Sequence, residues 1–574
     1  MSISLYVPKY VLHRPRRLRL TTWVRSVNGL RAVAVVTALG VAIPILVILF
    51  SFAYPQPETW RHIADTLLGD LIKNTLSLCI GTMIGTFTLG VGSAWLTAMY
   101  DFPGRNFFNW ALILPLALPT YVLAFVFIGM FDFAGPVQTM LRTVLPGSHN
   151  WFPDIRSTGG VILVMSLALY PYVYLLSRNA FRTQGRNVLE VSRVSGYTTG
   201  EALFKAVLPM ARPWIASGLL LVLMETLADF GAVSIFNFDT FTTGIYKAWF
   251  GFFSLPAAAQ LSSVLLVFVF LVIIVEQHMR AKMEFNQVGD VTAENSRIPL
   301  VGWKKWSASG LLALILIIAF VAPCIVLLVW SLASISAELQ SGYIDLLSNS
   351  LIFSSLATGC IVGTGLLLSY VQRLDDRTAA KWTTRISTLG YAVPGTVLAV
   401  GVVIMISFID RQLINTARHL FGLRLDPVFG GTLLVVVFAY VVRFLTTGFN
   451  RINSSMLRIS KSVDEASRML GVTGIKLLRK VHVPILRNGL YTAAMLVFVD
   501  VMKEMPITLM TRPFGWDTLA VKIFELTSEG EWERAALPSM ALVIAGLIPL
   551  ILLNKRSEQL TTQHQDRDDH ESYT

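Results

Sequence analysis

The sequence predicts an all-α integral membrane protein of about 12 transmembrane helices, arranged as two parallel 6-helix repeats. Three observations predict it. The 574-residue chain is 54% hydrophobic and only 14% charged, a balance far from that of soluble globular domains. Twelve apolar stretches each approach the ~20 residues that a bilayer core requires. A polar segment also occurs twice, as EVSRVSGYTTGEALFKAVLP from Glu190 to Pro209 and EASRMLGVTGIKLLRKVHVP from Glu465 to Pro484, at a constant offset of 275 residues.

The chain opens on a basic segment, residues 1–30. Its HRPRRLRL run leads into a long apolar stretch with no short apolar region and small-residue cleavage site, so a retained anchor is expected rather than a cleaved signal. The first half then carries stretches near 31–54, 71–99, 108–131, 159–180, 212–236 and 257–278. A polar linker, 279–306, reads as a tether. The second half repeats the pattern near 307–335, 347–372, 387–409, 430–452, 488–510 and 534–554. The tail, 555–574, has few apolar residues and is expected to be disordered. Cys79, Cys324 and Cys360 all fall in apolar stretches without metal-like spacing and read as small core residues.

A net charge of +12 could suggest nucleic acid, but its distribution argues for a membrane. With the N-terminus inside, most Lys and Arg fall in loops on the cytoplasmic side, which is the positive-inside bias. Both termini, both copies of the repeated segment and the linker are then cytoplasmic. No nucleic-acid partner is expected; the surrounding partner is membrane lipid.

The 275-residue offset reaches beyond the repeated segment. Asn74 matches Asn349, Pro119 matches Pro394, Arg212 matches Arg487, and Asp229 matches Glu504. Thr243 and Lys247 match Thr518 and Lys522 in a following outer loop. Six spans per half insert both halves the same way round, a parallel repeat related by an axis along the membrane normal. Two membrane domains, 31–278 and 307–554, are therefore expected to enclose a path between them.

Each copy of the polar segment lies between the fourth and fifth spans of its half. Residues Glu190–Ser195 and Asp464–Leu470 read as short helices. Gly196 and Gly471 permit a sharp turn, because glycine tolerates positive φ. Second amphipathic helices, Glu201–Val207 and Ile475–Val481, follow, and Pro209 and Pro484 mark re-entry toward the membrane. Such a helix–turn–helix suits docking into a groove on another protein.

At these residues the chain resembles the permease subunits of bacterial ABC importers. Their signature runs Glu-Ala-Ala, three residues, Gly, nine residues, Ile-x-Leu-Pro. Glu190, Gly196, Leu208 and Pro209 match it, as do Glu465, Ala466, Gly471 and Pro484. Val191 and Ser192 replace the alanines of the first copy, and Ser467 replaces one in the second. Ala206, Val481 and Val483 depart from the Ile-x-Leu end. The resemblance implies that Glu190, Ser192, Gly196, Pro209, Glu465, Ala466, Gly471 and Pro484 form coupling helix loops. It also implies two copies of an ATPase subunit on the cytoplasmic face, a periplasmic substrate-binding protein opposite, and residence in the bacterial inner membrane. The chain has no G-x-x-x-x-G-K-[ST] loop, so no cofactor is expected on it; ATP and Mg belong to the partner ATPases, and the chain is not expected to be an enzyme.

Ionisable residues inside a span are costly and commonly face a pathway or a partner. METLADFGAV holds Glu225 and Asp229, and VDVMKEMPIT holds Asp500, Lys503 and Glu504. Each acid pair is four residues apart, on one helical face, and together they could ring a cation path. The alternative is structural, with Lys503 as partner or a broken helix as acceptor. ETLADFGAVSIFNFDTFTTGIYKAW and DVMKEMPITLMTRPFGWDTLAVKIFEL resemble the iron(III) branch of fused importer permeases, which implies ferric iron handed over by a ferric-binding protein. Oxygen ligands suit that hard cation. Branches carrying thiamine, sulfate, polyamine or phosphonate share the design. His62, His149 and His419 fall in outer loops and read as solvated, so no metal site is assigned. A 12-helix proton-coupled secondary transporter is the competing class, but its basic loop should follow the second span, where YDFPGRN and QRLDDRTAAKWTTR fit poorly. An intramembrane metal-dependent enzyme has only Asp375 and Asp376 in its favour.

Overall fold

A computed structural model describes residues 18–53, 57–145, 152–284, 297–340, 342–375 and 377–572. Among these, twelve helices are long and apolar enough to cross a membrane. In the first half, spans 1 to 6 are Gly29–Leu49, Leu68–Met99, Thr120–Val144, Thr158–Thr183, Thr199–Ala228 and Leu255–His278. In the second, spans 7 to 12 are Trp303–Ser336, Tyr343–Leu374, Gly395–Phe421, Leu433–Leu457, Ile475–Met502 and Trp532–Leu552. His149 and most of the polar linker, residues 285–296, lie outside the described residues.

Spans 3 and 9 start later than expected. A short helix, Arg105–Ala111, and a 3-10 turn, Leu114–Ala117, come first, and Pro119 is the N-cap of span 3, as Pro394 is of span 9. The repeated proline stands where the helix has no use for a backbone N–H. The tail also departs from expectation. The helix of span 12 continues from Trp532 to Ser572, because no Gly or Pro follows Pro549 to stop it. Cys79 is buried as expected, whereas Cys360 is exposed on the outside of span 8.

The two halves interlock. One core joins spans 2 to 5 with spans 7 and 12: Phe125, Tyr170 and Val233 pack in a cluster with Leu312, Leu327 and Leu542. The other joins spans 1 and 6 with spans 8 to 11, through Ile48 and Leu265 beside Phe353, Val397 and Tyr440. Lipid tails are as apolar as these side chains, so the helices associate through close packing rather than hydrophobic transfer. Small residues make the approach possible. A Cβ at Gly401 would lie 2.6 Å from the carbonyl oxygen of Pro44 in span 1. Strand β1, Tyr100–Asp101, pairs in parallel with β2, Ile298–Pro299, tying the start of the second half to the C-terminal end of span 2.

Gly390, in the turn before span 9, gives the tightest of these contacts in the second half: its Cβ would sit 1.9 Å from the Val442 carbonyl oxygen. That neighbour is backbone and cannot swing away. Gly390→Ala is expected to cost about 2 kcal/mol or more, read as a lower thermal midpoint of the detergent-purified chain.

Candidate functional site

The two copies of the repeated segment fold alike. Helices Arg186–Val194 and Lys461–Met469 each end in a glycine with positive φ, Gly196 at 86° and Gly471 at 77°. Backbone hydrogen bonds run from Tyr197 N–H to the Ser192 carbonyl (3.0 Å) and from Gly196 N–H to that of Arg193 (3.0 Å). The second copy repeats them, from Val472 to Ser467 (2.9 Å) and from Gly471 to Arg468 (2.9 Å). This is the Schellman closure of a helix C-terminus, which requires a left-handed residue where each glycine stands. The spacing from Glu to Gly in the motif is therefore the length of helix that the closure terminates.

The outward face of each loop is apolar and strongly exposed. Val191, Val194 and Phe204 project from the first, and Met469, Leu470 and Ile475 from the second. Glu190, Glu465 and Ala466 share this exposed side. Ser192 does not: it is buried, and its hydroxyl donates to the Val188 carbonyl at 2.7 Å, as Ser467 does to Val463. The second short helices are not separate elements. Each runs through one π-helical turn, Leu203–Val207 or Leu478–His482, straight into its span. Pro209 and Pro484 follow these turns as the second residues of the α-helical segments and do not break the chain. The wider turn accommodates the ring and the missing N–H.

The inward faces differ between the copies. In the second, Asp464 accepts hydrogen bonds from Arg373 Nε (2.8 Å) and Nη2 (3.2 Å) and pairs with His482 Nε2 (2.8 Å). Arg373 also donates to the carbonyls of Met456 (2.9 Å), Ile459 (3.0 Å) and Ser460 (3.0 Å). Tyr370 donates to the Gly474 carbonyl at 2.8 Å. Burial alone would raise the Asp464 carboxyl, but the hydrogen bonds from Arg373 and His482 outweigh it and hold it below its ordinary 3.8. The positions 275 residues earlier are Trp95, Ala98, Leu189 and Val207, which are apolar.

Between the halves, the continuous fifth and eleventh spans expected from the sequence are broken. Span 5 stops at Ala228 and a short helix restarts at Gly231–Ile235; span 11 stops at Met502 and restarts at Pro506–Thr511. Asp229 and Glu504 sit in the breaks, and so do not share a regular helical face with Glu225 and Asp500. They cap the restarted helices instead. Asp229 Oδ1 accepts from Ala232 N–H (3.0 Å) and Val233 N–H (3.3 Å), and its Oδ2 from Thr120 (2.5 Å). Glu504 accepts from Ile507 N–H (3.3 Å) and lies 3.9 Å from Arg443. Broken helices are tolerated at membrane depth where they line a cavity.

The breaks do line one. All four acids face a cavity of about 240 Å³ at the seam of the halves, together with Lys503, Arg443, Tyr172 and Tyr391. Tyr391, from the second half, donates to Glu225 Oε1, from the first, at 3.0 Å. Lys503 donates to the carbonyl of Leu116 at 3.2 Å, again across the seam. Among the described residues, no three His, Cys, Asp or Glu side chains gather closely enough to hold a metal ion.

Beyond the breaks, the repeated asparagines do matching work. Asn74 donates to the Asp239 carbonyl (3.0 Å) and Asn349 to that of Asp517 (3.1 Å). The next helices are capped by Thr240 and Thr518. The matching of Thr243 and Lys247 to Thr518 and Lys522 is therefore corrected: the loop before this helix is three residues longer in the second half, and the register shifts there.

The family described as "Binding-protein-dependent transport system inner membrane component" matches this chain twice, over residues 86–285 and 355–560. The chain belongs to that family. The permease is 28% identical to the Fe(3+)-transport system permease protein FbpB 2 of Haemophilus influenzae, over 85% of this chain and 90% of that one. It is 25% identical to the putative ferric transport system permease protein FbpB 1 of the same organism, over 80% and 73% of the two chains. The putative 2-aminoethylphosphonate transport system permease protein PhnV of Salmonella typhimurium is 26% identical over 45% of this chain and 97% of its own length. That relative is matched almost whole by less than half of this permease, in keeping with a fusion of two halves. The permease is a multi-pass inner-membrane component of an ABC importer.

Sequence reasoning brought Glu225, Asp229, Asp500 and Glu504 to one place, and the permease has them around one cavity. It missed Tyr172, Tyr391 and Arg443 there, because a lone tyrosine or arginine in an apolar stretch carries no spacing signal. It missed the Arg373–Asp464–His482 cluster as well, although laying one copy on the other exposes it. His62 lies on the short helix Pro57–Thr66, and His419 on the last turn of span 9, not in a loop.

Proposed function

We propose that this permease moves ferric iron from a periplasmic ferric-binding protein into the cytoplasm, driven by two ATPase subunits seated on its coupling loops. The relatives named for Fe(3+) and ferric transport extend along most of the chain, and that is the observation carrying the cargo. The four carboxylates facing the seam are compatible with a hard cation that prefers oxygen.

In this reading both termini are cytoplasmic, and the exposed faces around Glu190, Val194, Glu465 and Met469 meet the ATPases. ATP and Mg are held by those subunits. ATP binding draws the ATPases together, the loops carry the motion into spans 5 and 11, and the halves rock to expose the seam to one side and then the other. The seam contacts of Tyr391 with Glu225 and of Lys503 with Leu116 break and re-form in each cycle.

The test is uptake by proteoliposomes holding the permease with its co-purified ATPase. Radioactive iron(III) is presented on the binding protein, and ATP on the ATPase side. Accumulation that needs both ATP and the binding protein is expected. ATPase stimulation by a binding protein loaded with phosphonate or another ligand, without iron uptake, rejects iron and keeps the importer. Uptake driven by a proton gradient without an ATPase rejects the coupling scheme.

A further inference from the structure

The two coupling loops have the same backbone but different attachments. Arg373 and Asp464 are each over nine-tenths buried, and His482 is fully so. Arg373 is at the end of span 8, Asp464 on the loop helix, and His482 in the π-turn that opens span 11. The guanidinium also holds the Met456 carbonyl at the end of span 10 and the Ile459 carbonyl just beyond it. One charge cluster thus fastens three spans and the loop together, and the Tyr370 hydrogen bond pins the far side of the turn at Gly474.

In the first loop, Leu189 and Val207 belong to the same buried apolar cluster as Ala98, against which Trp95 packs; apolar packing is non-directional and lets surfaces slide. At the four matching positions this seat is apolar. Thr198 and Glu201 form a capping box, and Lys205 pairs with Glu201 on the surface at 3.3 Å. A bidentate guanidinium–carboxylate pair has fixed geometry, and removing one partner leaves a buried charge uncompensated.

We infer that Arg373, Asp464 and His482 are positioning residues that lock the second coupling loop to the helix bundle as one rigid lever, whereas the first loop tilts on an apolar seat. The two halves then receive the motion of identical ATPases through different mechanics. The second half moves as a block, and the first yields at its loop. This rests on the coupling reading given above, but the attachment itself does not.

The test converts the second seat into the first. A variant with Arg373→Ala, Asp464→Leu and His482→Val carries the first half's residues at all three places. The triple variant leaves no member of the cluster as an unpaired buried charge, and its thermal midpoint, read beside the exchange, separates positioning from folding. In the full-length wild-type permease, backbone amides of 461–474 are expected to exchange more slowly than those of 186–199. In the triple variant they should exchange faster by roughly a hundredfold, reaching the level of the first loop. Assembled with its ATPase, that variant should hydrolyse several times more ATP per ion carried. Arg373→Lys, which keeps the charge but loses the fork, should fall between.

Unchanged exchange in the triple variant overturns the lock. Faster exchange with an unaltered ratio of ATP to cargo overturns its part in transmission. If the wild-type permease does not bind an ATPase through either loop, the coupling reading has failed, and the exchange data still decide whether the lock exists.

Discussion

A permease carrying Gly196→Val and Gly471→Val together is expected to insert and fold, yet to lose transport by well over tenfold. Both glycines hold left-handed backbone, φ 86° and 77°, at the point where each loop helix closes. A β-branched residue there costs about 1–2 kcal/mol or more. Nothing lies within 4 Å of a Cβ built on Gly196, so the cost is conformational rather than steric. The chain escapes it by leaving the left-handed region, which gives up the paired hydrogen bonds to Ser192 and Arg193, or to Ser467 and Arg468. The helix end frays, and the apolar face carrying Val194 or Met469 loses its aim. The spans lie elsewhere and keep their packing, so the thermal midpoint should hardly move while ATPase binding and iron uptake fall. Gly196→Asn with Gly471→Asn supplies the control, because asparagine enters the left-handed region more readily. Its activity should stay near that of wild type. Normal uptake and normal ATPase binding by the valine pair would sink the assignment of these loops to coupling.

Much of the architecture could be read in the residues, for identifiable reasons. Twelve apolar stretches give twelve spans, because backbone without water must bond within its own helix. The motif glycines are legible as turns because glycine enters that conformation without strain. The neighbours of each span were not legible. A helix apolar on every side has no stripe to point at its partner, so nothing in span 1 or span 7 shows that it packs on the other half. The breaks after Ala228 and Met502 left a weak mark: Pro506 stands two residues after Glu504, and Gly231 two after Asp229. Both lie inside long apolar windows. The difference between the two loop seats was open to inspection, since Leu189 and Asp464 occupy matching places beside the motif glutamates.

The four acids at the seam should divide into two pairs when neutralised, and the division follows from what each carboxylate already holds. Asp229 and Glu504 are committed to the first turns of the restarted helices, and Glu504 also offsets Arg443. Asp229→Ala or Glu504→Ala should cost stability, about 1 kcal/mol for the lost cap, with more for Glu504 because Arg443 is then left partly uncompensated. Their main sign should be a lower thermal midpoint. Glu225 caps nothing: its hydrogen bond is from Tyr391, and its charge faces the cavity. Asp500 lines the same cavity from the opposite half. Charges lining a low-dielectric cleft raise the local concentration of a cation of opposite sign, by about tenfold or more. Glu225→Gln, which keeps the size and an acceptor for Tyr391, should therefore lower iron uptake by about tenfold with little change in thermal midpoint. Combining it with Asp500→Asn should lower uptake further, since two facing charges are then gone. If uptake in the Glu225→Gln, Asp500→Asn pair equals that of wild type, the cargo does not pass these carboxylates. If all four neutralisations lower the midpoint alike and spare transport, the seam acids are structural throughout, and cation selection rests with the binding protein.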